Sequence, residues 1–178
     1  MHDCCETIGA APTHSRRSFV KSVALGGGVT LLFGPRALAD DHECDVLLLS
    51  CIDFRLVQKT VDYMNSQRLE RDYDHIALAG ASLAALTEQR PAWGETFWQH
   101  VQTAIDLHKI KRIMVMDHRE CGAYRTLLGE WVERDEETET EVHRVYLLRL
   151  REQIGRRYSS LGVWLGLMDT KGAVQVIT

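Results

Sequence analysis

Four stretches of the chain are short, almost unbroken apolar runs: Asp45-Val-Leu-Leu-Leu-Ser-Cys51, His75-Ile-Ala-Leu-Ala-Gly80, Arg112-Ile-Met-Val-Met116 and Ala173-Val-Gln-Val-Ile177. A strand with one wet face alternates polar and apolar residues, whereas a strand covered on both faces has no need to. The runs therefore predict a parallel sheet buried on either side. Between them, Leu56 to Leu69 carries Val57, Val61, Tyr63 and Met64 at helical spacing, and Glu95 to His108 carries Phe97, Trp98, Val101, Ile105 and Leu107 likewise. Strand and helix alternate, which predicts an α/β fold: an open, mostly parallel sheet with flanking helices and right-handed crossovers. Such folds collect ligands at the C-terminal ends of their strands.

The first 39 residues follow a different pattern. Ser15-Arg-Arg-Ser-Phe-Val-Lys21 is followed by an uncharged stretch from Ser22 to Gly34, then Pro35-Arg36, then Ala37-Leu-Ala39 before a run of acids. These are the three parts of an export signal, and the paired Arg16 and Arg17 resemble the twin-arginine type, read by a translocase that carries folded proteins. The apolar part is too short to span a bilayer, and Gly26-Gly27-Gly28 weakens any helix there. The expectation is a cleaved signal over 1–39, no permanent membrane anchor, and a periplasmic or otherwise exported domain over 40–178.

Composition agrees with one folded domain: 45% of the 178 residues are hydrophobic and 26% charged, with three prolines. Lys and Arg number 21 against 25 acids, for a net charge of -4, so a nucleic-acid partner is not expected. Cys4 and Cys5 leave with the signal, and the remaining Cys44, Cys51 and Cys121 are too few for a disulfide scaffold.

Chemistry gathers at two predicted strand ends. Cys51-Ile-Asp53-Phe-Arg55 follows the first run and Asp117-His118-Arg-Glu-Cys121-Gly122 follows the third. His118 and Cys121, three residues apart, can aim at one point from a tight turn, and Cys51 reaches the same crevice from a parallel strand. Two thiolates and an imidazole suit Zn2+, and three protein ligands leave a fourth position for water, whose pKa zinc lowers toward neutrality. Asp53 and Arg55 share the Cys51 side of an extended segment. A carboxylate paired with a guanidinium stays ionised, can orient water, and is held off the metal.

Cys-x-Asp-x-Arg followed by His-x-x-Cys-Gly resembles the β-class carbonic anhydrases. The likeness extends to Leu78-Ala-Gly80-Ala, the helix Thr96 to His108 leading into Ile113-Met-Val, and Gly162-Val-Trp-Leu-Gly-Leu-Met-Asp-Thr-Lys-Gly172. The resemblance implies Cys51, His118 and Cys121 as zinc ligands, Asp53 and Arg55 as the catalytic dyad, and interconversion of CO2 and bicarbonate through zinc-bound hydroxide. It also implies a homodimer whose partner lines the cleft, although the helical arm with which family members embrace that partner is not expected here, since the first strand begins some five residues after the expected cleavage site.

Two residues depart from the family pattern. Asp117 stands where a glycine is usual and is expected to orient His118 or a neighbouring donor, or to cap the following turn. Phe54 stands where a small residue is usual and is expected to point into the core. Tyr124 and Arg125 should open the next helix, with a substrate-facing role open to them, and Trp164, Leu165 and Leu167 should pack in the core or an interface. The acid run Glu133 to Glu141 reads as a solvated helix start or loop. His42, His75, His100, His108 and His143 lack ligand spacing, and Cys44 reads as a free buried thiol. Three other functions use the same residues: a COS or CS2 hydrolase, a non-catalytic exported zinc-binding module, and a dithiol redox protein built on Cys51 and Cys121.

Overall fold

The computed structural model describes residues 43–178; the export signal expected over 1–39 lies outside the described residues. Strands β1 (Val46–Ser50), β2 (Tyr73–Ala77), β3 (Arg112–His118), β4 (Gly162–Met168) and β5 (Val174–Val176) form one sheet in the order β2-β1-β3-β4-β5. The first four are parallel to one another. Helices α1 (Val57–Ser66), α2 (Ser82–Leu86), α3 (Pro91–His108), α4 (Gly122–Leu128) and α5 (Glu136–Arg157) connect them.

The unbroken apolar runs are explained by what each face meets. Leu47, Leu49, Ile113, Val115, Leu165 and Leu167 point to one side, where Phe97, Val101 and Ala104 of α3 and Leu147, Leu150 and Ile154 of α5 cover them. Val46, Leu48, Met114 and Met116 point to the other, against Leu56 and Met64 of the α1 region. Because β1 and β3 are buried on both faces, neither alternates.

The fourth apolar run departs from expectation. β5 pairs antiparallel with β4, its register set by Gly166↔Val176 and Met168↔Val174. Residues 169–173 form a tight turn, closed by Asp169 N–H donating to the Ala173 carbonyl at 2.8 Å, and a parallel return would need a crossover of a dozen residues or more. β2 ends at Ala77 rather than Gly80, since Leu78 to Ala81 turns the chain into α2. Phe54 is 86% exposed and not in the core. The acid run is a helix start, capped by Asp135, whose carboxylate accepts from the Thr138 amide at 2.7 Å, but not all of it is solvated: Glu139 is buried. Among the described residues no helix is long and apolar enough to cross a membrane.

Candidate metal centre and catalytic pair

Cys51 leaves the C-terminal end of β1, His118 ends β3, and Cys121 sits immediately before α4. Because β1 and β3 are parallel neighbours with Ser50 opposite Met116, both chains pass the same edge of the sheet and the three side chains meet. One donor atom from each lies within 4.8 Å of the others, and the two sulfurs are 4.0 Å apart. A tetrahedral zinc ion with Zn–S bonds of about 2.3 Å spaces its sulfurs about 3.8 Å apart, so the separation suits it.

The imidazole is prepared in the same sense. Nδ1 of His118 donates to the Arg119 carbonyl at 2.8 Å, which leaves Nε2 as the lone-pair nitrogen; it is buried and has no hydrogen-bond partner. A buried polar atom without a partner is costly unless something else satisfies it, and a cation between the sulfurs would. The donor set therefore fits zinc.

Electrostatics favour a cation there. The Cys121 thiol beside it lowers the pKa of Cys51, burial opposes that, and His118 and the Gly80 amide add to the lowering. Cys121 is pushed upward by the same pairing and by burial, because a second negative charge 4.0 Å from the first is disfavoured. Burial works against a charged His118, but the Cys51 sulfur, the Arg119 carbonyl and Asp53 outweigh it, so the ring holds a proton more readily than free histidine. A divalent cation removes the thiolate repulsion and displaces these protons.

Gly80 supplies a further support. Its φ of +86° lies in the left-handed region, and the turn it makes points its amide at the Cys51 sulfur, 3.3 Å away. A Cβ there would stand 3.1 Å from that of Ala123, so the close approach of this turn to α4 also requires glycine.

Asp53 caps the short 3-10 turn Phe54–Leu56, accepting from the Arg55 amide at 3.0 Å. The Arg55 guanidinium grips the same carboxylate, Nε at 3.0 and 3.2 Å from its two oxygens and Nη2 at 2.7 Å from Oδ2. This pairing holds the Asp53 carboxyl down to about 2. Its Oδ2 stands 3.9 Å from Nε2 of His118, next to the cluster of donors. Arg55 is fixed from behind by the Glu120 carbonyl, which accepts from Nη2 at 3.0 Å.

A cavity of about 490 Å³ opens onto Cys51 and Asp53, with Ile52, Phe54, Trp93 and Leu127 among its walls. Its lining is mainly apolar, with Arg90 as a charged residue.

Asp117 neither touches His118 nor caps the turn after it; its contacts brace the end of β3 from α2, α4 and α5. Its carboxylate accepts from the Ser82 amide (3.0 Å) and hydroxyl (2.6 Å), the Tyr124 hydroxyl (2.7 Å) and Nδ1 of His143 (2.9 Å). Tyr124 is fully buried against His143 and has no substrate-facing role. Burial and the Asp117 charge push its hydroxyl well above the ordinary tyrosine range. Cys44 is half-buried and donates to the Val46 carbonyl at 3.2 Å. Sequence reasoning passed over Ser82, met Gly80 only as part of the family likeness with no role of its own, and read Glu139 as one of a solvated acid run. For Glu139 a signal existed: Glu139, His143, Leu147, Leu150 and Ile154 continue one helical stripe out of the acid run.

Comparison with known proteins gives the same direction. The family described as "Putative carbonic anhydrase" matches residues 41–155. A protein of Rickettsia bellii named only as uncharacterized is 40% identical over 136 residues, covering 76% of this chain and 83% of its own length. A second uncharacterized protein, from Rickettsia conorii, is 38% identical over 136 residues, covering 76% and 73%. Among solved structures, the β-carbonic anhydrase CafA of Aspergillus fumigatus aligns with a TM-score of 0.50 at 16% identity, over 78% of this chain and 77% of that one. The carbonic anhydrase of Streptococcus mutans aligns with a TM-score of 0.50 at 16% identity, over 76% and 84%. These structures share the fold, and with the family model matching well over half of the residues, the chain belongs to that carbonic anhydrase family.

Proposed function

We propose that this protein is an exported zinc enzyme that interconverts CO2 and bicarbonate, CO2 + H2O ⇌ HCO3⁻ + H⁺. The observation that carries the reading is the juxtaposition of Cys51, His118 and Cys121 with an arginine-clamped carboxylate at the mouth of an apolar cavity. Cys51, His118 and Cys121 would hold zinc, which supplies a Lewis acid that makes water acidic enough to act as a nucleophile near neutral pH.

Asp53 accepts a hydrogen bond from the attacking water and so turns a lone pair toward the substrate. It stays ionised because Arg55 holds it, and the same clamp keeps it from becoming a fourth ligand. This separates the proposed enzyme from a closed zinc-binding module, in which Asp53 or another carboxylate would fill the last position. Ile52, Phe54, Trp93 and Leu127 offer an uncharged linear substrate an apolar site, while bicarbonate, being charged, is released to solvent.

Stopped-flow CO2 hydration beside metal analysis of the mature protein tests the proposal. The expected result is one zinc per chain with activity, and zinc-replete protein without activity toward CO2 overturns it. Turnover of COS or CS2 in place of CO2 would reassign the substrate to the same chemistry. Export by the twin-arginine route is supported by Arg16-Arg17 and the apolar stretch behind them; undiminished periplasmic protein after Arg16→Lys with Arg17→Lys would refute it. A homodimer covering the cavity mouth is supported by the exposed apolar side chains of Ile52 and Phe54 in its wall, and sedimentation of the mature protein as a monomer at micromolar concentration would refute it.

A further inference from the structure

Glu139 belongs to the acid run, yet its side chain is turned inward from the first turn of α5 and is almost completely buried. Both of its oxygens are used. Oε1 accepts from the Glu120 backbone amide at 2.6 Å, and Oε2 from Nη1 of Arg119 at 3.2 Å. Arg119 and Glu120 are the two residues that separate His118 from Cys121. The first reaches on to Thr140 and Gln175, each through Nη2 at 3.0 and 3.1 Å.

The turn they form is not one the chain adopts freely. Glu120 has a φ of +55°, a left-handed conformation that a residue with a Cβ adopts only when its surroundings impose it. Its amide is held by Glu139, and its carbonyl receives Nη2 of Arg55, the group that grips Asp53. One residue in an unusual conformation, held at its amide and at its carbonyl, thus sets the spacing of His118 and Cys121 on one side and the orientation of Arg55 on the other. A carboxylate suits the task because it only accepts: one oxygen for an amide N–H, the other for a guanidinium.

We infer that Glu139 is the positioning residue of the metal centre: through the backbone of Glu120 it holds the His118–Cys121 turn in metal-binding shape and keeps the Arg55 guanidinium on Asp53. The inference rests on the reading of Cys51, His118 and Cys121 as metal ligands. Its consequences are for metal affinity first and turnover second.

The test uses the mature protein with Glu139→Ala, Glu139→Gln and, as a structural control, Thr140→Ala. Thr140 touches Arg119 but not Glu120. Folding is checked by circular dichroism and melting, and zinc affinity by competition with a chromophoric chelator. The visible spectrum of the Co²⁺-substituted protein reports ligand geometry. Glu139→Ala is expected to weaken zinc binding 10- to 100-fold and to shift the cobalt bands, as loss of a group that orients ligands does. Glu139→Gln keeps an acceptor for the Glu120 amide but sets its NH2 against Arg119, and is expected to fall between wild type and Ala. Thr140→Ala is expected to lower the melting temperature without moving affinity. Folded Glu139→Ala with zinc affinity within twofold of wild type and an unchanged cobalt spectrum overturns the inference. Should Glu139→Ala not fold, an unchanged affinity and spectrum in Glu139→Gln does so. Wild type that binds no zinc removes the metal reading together with this inference. Wild type that binds zinc but hydrates no CO2 removes the proposed reaction alone, and the affinity series still decides the role of Glu139.

Discussion

Asp117 offers the sharpest test of how the scaffold behind the site is held. The side chain is 1% exposed, and Ser82, Tyr124 and His143, which surround it, are likewise buried. Asp117→Asn preserves shape and changes one acceptor oxygen into a donor. Put at the Oδ1 position, the new NH2 faces the Ser82 N–H; put at Oδ2, it faces the Nδ1 proton of His143. The Ser82 and Tyr124 hydroxyls can rotate to accept, and they lie 2.9 Å apart, so they can also satisfy each other. The backbone amide cannot rotate. His143 could move its proton to the other ring nitrogen, but Nε2 has no partner in the core, so that escape buries an unsatisfied N–H instead.

Every arrangement therefore leaves one rigid donor without an acceptor, at about 1–3 kcal/mol, and the loss of charge assistance in the remaining bonds adds about 1 kcal/mol. Asp117→Asn should cost roughly 2–4 kcal/mol, a large share of the 5–15 kcal/mol typical of a domain. Tyr124→Phe removes one of several donors to the carboxylate and should cost about 0.5–1.5 kcal/mol. Urea unfolding at fixed zinc loading measures both. An Asp117→Asn protein as stable as Tyr124→Phe, with m-values unchanged, would refute the accounting of donors and acceptors.

Other changes address other parts of the molecule. Asp53→Asn should keep zinc and lose on the order of 10²-fold in CO2 hydration, and full activity in that variant would refute the dyad; Arg55→Ala should also keep zinc but let Asp53 reach the metal, visible in the cobalt spectrum. Asp135, held down to about 2 chiefly by the Thr138 amide, contributes stability that is full above about pH 4 and fades as pH falls through 2. Asp135→Asn keeps a capping acceptor without that titration, so its melting temperature should approach that of wild type between pH 4 and 2; parallel curves would count against it. Gly166→Ala would drive a Cβ into the Trp164 ring, itself packed on Tyr63, and should destabilise by roughly 1–3 kcal/mol in thermal or urea unfolding.

How much of this the sequence carried depends on which force placed each residue. β1 and β3 were legible because burial on both faces writes itself as an unbroken apolar run, and the residues at their ends named the candidate site directly. β4 was not legible as a run, since Gly162 and Gly166 interrupt it, the latter to make room for Trp164. It entered only through resemblance to a family. Helix α2, five residues long, is too short to show a period. The orientation of β5 is fixed by the length of the turn before it, a constraint that hydropathy does not record. Phe54 was misplaced because an aromatic side chain was assigned to the core, whereas here it forms part of a cavity wall. The hardest residues to read were the buried polar ones. Asp117 differs in no local pattern from a solvated residue, and the stripe that Glu139 and His143 share with Leu147, Leu150 and Ile154 says that they face inward but not what they meet; only their partners, each other and groups from α2, α4 and the β3–α4 turn, justify their burial.

That polar network has a physical reason to exist beside a pair of thiols. Cysteine is small, and apolar packing around it fixes the position of its sulfur only loosely. When both sulfurs ionise without a cation they repel, and nothing in van der Waals contact alone would keep them 4.0 Å apart. Hydrogen bonds are directional, so a turn whose amides and carbonyls are each assigned a partner resists that repulsion better than one held by packing. Asp117 ties the end of β3 to α2, α4 and α5, and Glu139 ties the two residues that follow His118 to α5. Burying two carboxylates is costly unless each is saturated with donors, and each is: four hydrogen bonds at Asp117, an amide and a guanidinium at Glu139. The stability given up in desolvation goes into a rigid frame for the candidate metal donors, and this separates two kinds of acid around one site. Asp53 stays at the cavity, clamped by arginine and free to meet water, while Asp117 and Glu139 are sealed away from solvent and act only through the geometry they impose.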